Sequence, residues 1–229
     1  MESNRLLRCS LGEYQLKNNL LKQVKSFQEV QTLIEFTEFE NQIVLEGPYS
    51  YTLSWNDITY QGIVNIEFRI PKVFPNEIPE LFVEGVPDDF EHINPDGTAC
   101  VATIGEIISF LANGSTVIEY FEKFIDPFLF SLRWFVDYGT FPFGERQHGG
   151  QGLLSFYQTT LNLNKEQYIE LVLLVYKNKY RGHRECICSS KKKIRDCHGK
   201  YILPIIKNER LKSLFISEAY MILNESTKE

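Results

Sequence analysis

Three cysteines and one histidine close together constrain the fold of this chain more than any other feature. Cys186-Ile187-Cys188 is followed, after eight residues, by Cys197-His198. Three thiolates and one imidazole make a closed tetrahedral set of ligands, which is the composition of a structural zinc site rather than a catalytic one. The pattern therefore predicts that Cys186, Cys188, Cys197 and His198 converge on one zinc ion.

The charge is distributed unevenly around this cluster. The segment Lys177–Lys200 is strongly basic, whereas Thr32–Glu119 is rich in Asp and Glu, and the net charge is -6. Three thiolates on a divalent ion leave one negative charge, which neighbouring basic side chains can offset. These are Lys191, Lys192, Lys193 and Arg195. The overall charge offers no footprint for nucleic acid, so we expect the basic run to serve the site itself or to dock a protein partner.

The apolar content predicts a folded core, and the cysteine count indicates a cellular compartment. It has 229 residues, of which 43% are hydrophobic, enough for a substantial core. Five cysteines are an odd number, and three lie in the cluster, which suits a reducing compartment better than a disulfide framework. No run of eighteen apolar residues occurs, and Met-Glu-Ser-Asn-Arg does not begin a secretory signal. We therefore expect an intracellular, cytoplasmic protein.

The first part of the chain has the pattern of an α+β domain. Apolar residues at three- and four-residue spacings predict an amphipathic helix over Ser10–Phe27. Short segments rich in β-branched and aromatic residues follow, and their brief connections favour an antiparallel meander. The predicted strands are Thr32–Phe36, Gln42–Leu53 with a break at Gly47-Pro48, Tyr60–Ile70 and Leu81–Val83.

Helices are predicted after residue 100. Thr116–Tyr138 is apolar on most sides and indicates a long buried helix, interrupted at Pro127 where a backbone donor is lost. The glycine-rich residues 144–152 lack a phosphate-loop pattern and are interpreted as a flexible connection. Further helices are predicted over Gly152–Leu161, over Asn164–Asn178 with a capping box from Asn164 to Gln167, and over Tyr201–Leu223. We expect one domain over 1–162 and a helical region with the zinc site over 163–229.

The stretch from His92 to Cys100 is the strongest candidate for chemistry. It reads His-Ile-Asn-Pro-Asp-Gly-Thr-Ala-Cys, with a tight Pro95-Asp96-Gly97 turn between an imidazole, an amide and a thiol. A cysteine just after such a turn is expected to be partly exposed. An ordinary thiol has a pKa of about 8.5, yet its thiolate fraction is strongly nucleophilic. Cys9, by contrast, is expected to be a buried hydrophobe.

The predicted strands are followed by Phe74-Pro75 and Pro79, then by His92, Asn94, Gly97 and Cys100, and then by the predicted helices. This order resembles the ubiquitin-conjugating (UBC) fold over about residues 10 to 140. The resemblance implies that Cys100 holds an acyl group as a thioester. It further implies that Asn94 stabilises the oxyanion and that His92 braces the loop. An acidic residue near the site would assist the incoming amine. The candidates are Asp88, Asp89 and Glu106.

The cysteine cluster is similar to the SEC-C motif, a short zinc-binding knuckle. A UBC-like domain joined to such a knuckle resembles the stand-alone conjugating proteins of short bacterial anti-phage (CBASS) operons. That resemblance implies that Cys100 engages the C-terminus of a cGAS-like cyclic-oligonucleotide synthase and transfers it to a lysine amine of a target protein.

Three alternatives remain open at this point. A catalytically inactive UBC-like adaptor would bind a partner without using Cys100. A hydrolytic Cys-His pair would use His92 or His148 as the base. A zinc-dependent nucleic-acid module would bind in a strongly salt-dependent way.

Overall fold

A computed structural model of the chain describes residues 19–143 and 149–225. The described residues form two compact units, one made of residues 19–101 and 115–143 and the other of residues 102–114 and 149–225. The elements of the first unit are helix α1 over 19–30, strands β1 (Glu35–Glu38), β2 (Gln42–Trp55), β3 (Ile58–Pro71) and β4 (Glu80–Val83), helix α3 (Val117–Tyr120), a π-helical turn (Phe121–Ile125) and helix α4 (Asp126–Tyr138).

The four strands form one antiparallel sheet in the order β1-β2-β3-β4. The ladder between β2 and β3 is continuous from the pair Gln42 and Pro71 to the pair Trp55 and Ile58. On β3 the side chains of Ile66, Phe68 and Ile70 alternate into the core, as expected for a sheet with one buried face. The α+β class and the antiparallel meander predicted from the sequence are confirmed.

The predicted break at Gly47-Pro48 is wrong, because β2 runs through both residues. The pairing of β2 with β1 ends at Glu46, so Pro48, which has no N–H, stands where no β1 donor is needed. Just beyond Pro48, the side-chain amide of Gln31 forms the hydrogen bonds that a neighbouring strand would otherwise form. It donates to the Ser50 carbonyl at 2.9 Å and accepts from the Ser50 N–H at 3.1 Å.

Gly47 is expected to be the backbone position in this sheet least tolerant of a side chain. It has a φ of +129°, and a Cβ there would stand 2.8 Å from the Leu33 carbonyl oxygen. We expect Gly47→Ala to lower the free energy of unfolding in urea by about 2–4 kcal/mol, from strain plus overpacking. Gly85→Ala is the matched control, because Gly85 has a φ of +71° but open space around it. Equal losses in the two variants would contradict the close approach to Leu33.

The helical side of the first unit packs on the sheet through aromatic rings. The Phe121 ring lies 4.4 Å from the Phe27 ring, 4.9 Å from Phe68 and 5.4 Å from Tyr49, measured between ring centroids. The Tyr49 hydroxyl also donates to the Asp126 carboxylate at 2.9 Å. Helix, turn and two strands therefore share one aromatic core.

The predicted interruption of the long helix takes the form of a widened turn. Residues Phe121–Ile125 are π-helical, and the Asp126 N–H donates to the Phe121 carbonyl. Pro127 follows directly, in the first turn of α4. A proline lacks an N–H and its ring crowds the carbonyl four residues earlier, so a wider turn before it lets the chain continue as a helix.

Phe74–Pro79, which contains two prolines, lies in the loop between β3 and β4. It is built from turns rather than extended backbone: the Phe74 N–H donates to the Pro71 carbonyl and the Asn76 N–H to the Val73 carbonyl, both at 2.8 Å. The loop leads into β4, and β4 leads to the segment that carries Cys100.

The second unit is helical around the cysteine cluster. Asn164 caps its helix and forms the predicted capping box with Gln167. The buried residues Tyr157, Tyr168 and Phe215 lie at its centre. Its elements are α2 (Ile104–Leu111), α5 (Gly149–Thr160), α6 (Lys165–Tyr176), a short 3₁₀ turn (Ile194–Asp196), α7 (Gly199–Lys207) and α8 (Glu209–Glu225).

Two of the sequence predictions are not tested by the structure. The start of the helix predicted over Ser10–Phe27 lies outside the described residues. The division into domains at 1–162 and 163–229 stays a prediction, although the contacts group α5 with the second unit. In the described ranges, no helix combines the length and the apolar character needed to cross a membrane.

Candidate functional site

The segment from His92 to Cys100 forms a small hairpin. The Asn94 N–H donates to the Thr98 carbonyl at 2.8 Å, and the Cys100 N–H donates to the His92 carbonyl at 2.9 Å. The predicted Pro95-Asp96-Gly97 turn closes the hairpin, with Gly97 at a φ of +86°, where glycine is favoured. The hairpin thus fixes the backbone on both sides of the turn.

Asp96 and Thr98 hold the turn from inside. The Asp96 carboxylate accepts from the Thr98 N–H at 3.0 Å and from the Thr98 hydroxyl at 2.6 Å. These hydrogen bonds, first the one from the side chain and then the one from the backbone, lower the pKa of Asp96. Asp96 therefore serves the turn as an ionised acceptor.

The hairpin is anchored to β4 and to an aromatic cluster. The Ala99 N–H donates to the Leu81 carbonyl at 2.7 Å. The His92 ring packs edge-on against Phe141 with centroids 4.8 Å apart, and it lies 5.7 Å from the buried Phe90 ring. His92 is thus placed to hold the hairpin against the core of the first unit.

His92, Asn94 and Cys100 all lie on this hairpin, and the side chain of Cys100 is exposed. The Asn94 amide donates to the Thr98 hydroxyl at 2.9 Å, and the same nitrogen carries a second hydrogen. The catalytic roles of the three residues stay predictions. Cys9 and the alternative base His148 lie outside the described residues.

The three acidic candidates differ in what their carboxylates do. Asp88 and Asp89 are exposed, just before the buried Phe90. Glu106 belongs to the second unit, where its carboxylate accepts from the N–H and the hydroxyl of Thr103 at 3.1 Å each and so caps α2. Asp88 and Asp89 remain the candidates without a capping role of that kind.

The predicted cysteine cluster is confirmed as a convergence of four ligand atoms. The ligand atoms of Cys186, Cys188, Cys197 and His198 all lie within 4.8 Å of one another. The Cys186 Sγ is 3.2 Å and the Cys197 Sγ 3.4 Å from the His198 Nδ1, and Cys188 and Cys197 have Sγ atoms 3.5 Å apart. A tetrahedron of thiolates about 2.3 Å from an ion has edges of about 3.7 Å. The cluster could therefore hold a metal ion.

The backbone around the cluster fixes the orientation of the histidine. The His198 Nε2 lies 2.6 Å from the Leu161 carbonyl oxygen. A carbonyl only accepts, so Nε2 carries the proton and Nδ1 presents a lone pair toward the thiols. This is the outer-shell contact that commonly orients a metal-binding histidine. Sequence analysis did not identify Leu161, since a backbone carbonyl leaves no mark in a sequence.

Two of the thiols have shifted acidities. Burial raises the pKa of Cys186 to about 11. Burial also acts to raise the pKa of Cys188, but hydrogen bonds from the Ser190 hydroxyl and backbone, and from the neighbouring thiols, outweigh it and lower the value to about 6. A bound cation would favour the thiolate form of the cysteines, so metal binding and proton release are linked.

Glu218 is a buried carboxyl group that sequence analysis missed. It is fully buried, accepts from the Gly105 N–H at 2.8 Å at the start of α2, and accepts a short hydrogen bond from the Tyr157 hydroxyl. Its position on the apolar stripe of α8, between Phe215 and Ile222, is the signal that could have found it. Glu218 joins α8 to α2 and α5.

Comparison of the chain with protein-family models, with curated proteins and with solved structures finds no match.

Proposed function

We propose that this chain is a UBC-like conjugating protein in which Cys100 carries an acyl group as a thioester. The observation that supports this most is the placement of an exposed thiol directly after an internally bonded hairpin, itself anchored to the last strand of a four-stranded meander. Such a thiol can approach the terminus of another protein while its own backbone stays fixed.

The proposed reaction has two steps. The Cys100 thiolate attacks an activated C-terminal carboxyl group, such as an acyl adenylate or a thioester, and the activating group leaves. A lysine amine then attacks the new thioester, the carbon–sulfur bond breaks, the thiolate leaves and the amine gives up a proton. We propose that the acyl donor is the C-terminus of a cGAS-like synthase and that the reaction serves anti-phage defence in the bacterial cytoplasm.

Asn94 and His92 take the supporting roles in this proposal. The second N–H of the Asn94 amide stabilises the tetrahedral oxyanion. His92, packed on Phe90 and Phe141, braces the hairpin rather than acting as a base. Asp88 or Asp89 assists deprotonation of the amine.

We further propose that the metal is zinc in a SEC-C-like knuckle. Three thiolates and an imidazole, here with ligand atoms within 4.8 Å of one another, are a donor set that zinc prefers for structural sites. Cys186, Cys188, Cys197 and His198 hold the ion, and its chemistry is to fix the chain around it.

Intact mass of the chain incubated with a cGAS-like synthase that carries a C-terminal thioester tests the acyl-carrier proposal, because the thioester supplies the activated carboxyl group. We expect wild type to carry an adduct of the synthase mass minus water that a thiol reductant removes, and Cys100→Ala to carry none. Cys100→Ser is the matched control, because an oxygen ester forms the same adduct but resists the reductant. Unmodified wild type in a complex with a synthase whose terminus is intact would contradict acyl transfer and favour the adaptor.

A further inference from the structure

The segment 177–200 is strongly basic in a chain that is otherwise acidic. It contains nine of the 24 Lys and Arg residues and two of the 30 Asp and Glu residues, so its net charge is +7, whereas the rest of the chain carries -13. Three thiolates on a divalent ion contribute only one negative charge. The metal site can therefore neutralise a small part of this segment.

Five of these basic residues lie on a short hairpin around the first two cysteines, namely Arg184, Lys191, Lys192, Lys193 and Arg195. The Ile194 N–H donates to the Arg184 carbonyl and the Cys186 N–H to the Lys192 carbonyl, both at 2.8 Å. The Arg195 N–H donates to the Gly182 carbonyl at 3.2 Å. Basic residues from before and after the first two cysteines thus lie on the two hydrogen-bonded arms of this hairpin, which meet at an isolated bridge between Glu185 and Lys193.

The basic side chains point to solvent and have few ionic partners. Among residues 19–143 and 149–225, one ion pair involves a basic residue of segment 177–200. It joins Arg195 to Asp196 at 3.5 Å, and both side chains are exposed. A pair of that kind contributes little and leaves the charge available. All nine are exposed: Lys177, Lys179, Arg181, Arg184, Lys191, Lys192, Lys193, Arg195 and Lys200. We call these nine residues the knuckle surface.

An exposed aromatic ring precedes this surface directly. Tyr176, the last residue of α6, is 62% exposed and adjoins Lys177. The Tyr180 hydroxyl lies against Gly199, since a Cβ on that glycine would stand 2.8 Å from it. Tyr180 therefore packs on the residue that follows the last metal ligand. Exposed rings beside lysines are the combination on which unpaired bases stack while their phosphates are neutralised.

We propose that the knuckle surface binds single-stranded nucleic acid through its phosphates, with Tyr176 as a stacking platform. The aromatic ring favours this ligand over an acidic peptide, which has no bases to stack. The rest of the chain is acidic and repels phosphates, which favours binding of the nucleic acid at the knuckle surface. This proposal goes beyond acyl transfer and does not depend on Cys100.

Fluorescence anisotropy with labelled oligo(dT), using zinc-supplied full-length protein, tests the proposal. We expect saturable binding that weakens steeply with salt. We expect Lys191→Ala/Lys192→Ala/Lys193→Ala to bind at least about tenfold more weakly and to reduce the log–log salt slope by about 2. Tyr176→Ala should weaken binding about fivefold or more, and Tyr176→Phe should restore it.

A second lysine triple serves as the matched control. Lys22, Lys25 and Lys123 are exposed and lie in the first unit, so changing all three to Ala removes the same charge elsewhere. The control should bind like wild type. Equal loss in both triples, no binding of wild type at low salt, or competition by poly-L-glutamate as strong as that by oligo(dT) would each overturn the proposal. The last result would assign the surface to an acidic protein partner.

Discussion

On the proposal that the cysteine cluster binds zinc, Cys197→Ser is expected to abolish zinc binding and to unfold the segment around the cluster. The Cys197 Sγ lies 3.5 Å from the Cys188 Sγ and 3.4 Å from the His198 Nδ1, so it neighbours two of the other three ligand atoms. A structural zinc site contributes about 10–16 kcal/mol of apparent binding energy, and in such small knuckles that energy is folding energy. We expect the zinc content, measured by elemental analysis, to fall from about one per chain to near zero.

Cys100→Ser is the matched control for this loss, because it makes the same chemical change at an exposed cysteine outside the cluster. It should keep both the zinc and the thermal unfolding curve of wild type. Chelation of wild-type zinc should reproduce the unfolding of Cys197→Ser. Full zinc content in Cys197→Ser would show that the ion is held elsewhere.

The metal cluster could be predicted from the sequence because ligand chemistry leaves few choices. Three cysteines and a histidine with short spacings have to converge if they bind one ion, and the four ligand atoms do converge. The order of the strands could be predicted for a similar reason, since short connections between alternating segments force neighbours to pair in antiparallel.

What the sequence could not predict depends on contacts between distant residues. The break expected at Gly47-Pro48 is absent because β2 pairs with β3 through both residues, Gly47 opposite Ile66 and Pro48 opposite Asn65. The role of Glu218 depends on an N–H of α2 that is 113 residues away. The part played by Cys100 stays a prediction for another reason, because exposure shows that the thiol can be reached and not which acyl group reaches it.

Stability of the second unit should fall between pH 4.5 and pH 7 because of Glu218. Burial, the largest cause, raises its pKa from 4.5 to about 7, although the hydrogen bonds from Tyr157 and Gly105 oppose the shift. In that interval the unfolded chain has released the proton and the folded chain still holds it. Folding then binds a proton, so the free energy of unfolding decreases as pH rises, by about 3 kcal/mol for this group, and is constant above pH 7.

Glu218→Gln isolates this effect, since an amide can still accept from the Gly105 N–H and cannot ionise. The unfolding free energy of the variant minus that of wild type should therefore rise by about 3 kcal/mol from pH 4.5 to pH 8, measured by urea titration. Glu209→Gln controls for the exchange of a carboxylate for an amide on the same helix, because the Glu209 side chain is 83% exposed. A flat difference curve for Glu218→Gln would mean that the buried group is ionised throughout, and that its two hydrogen bonds outweigh the cost of burying the charge.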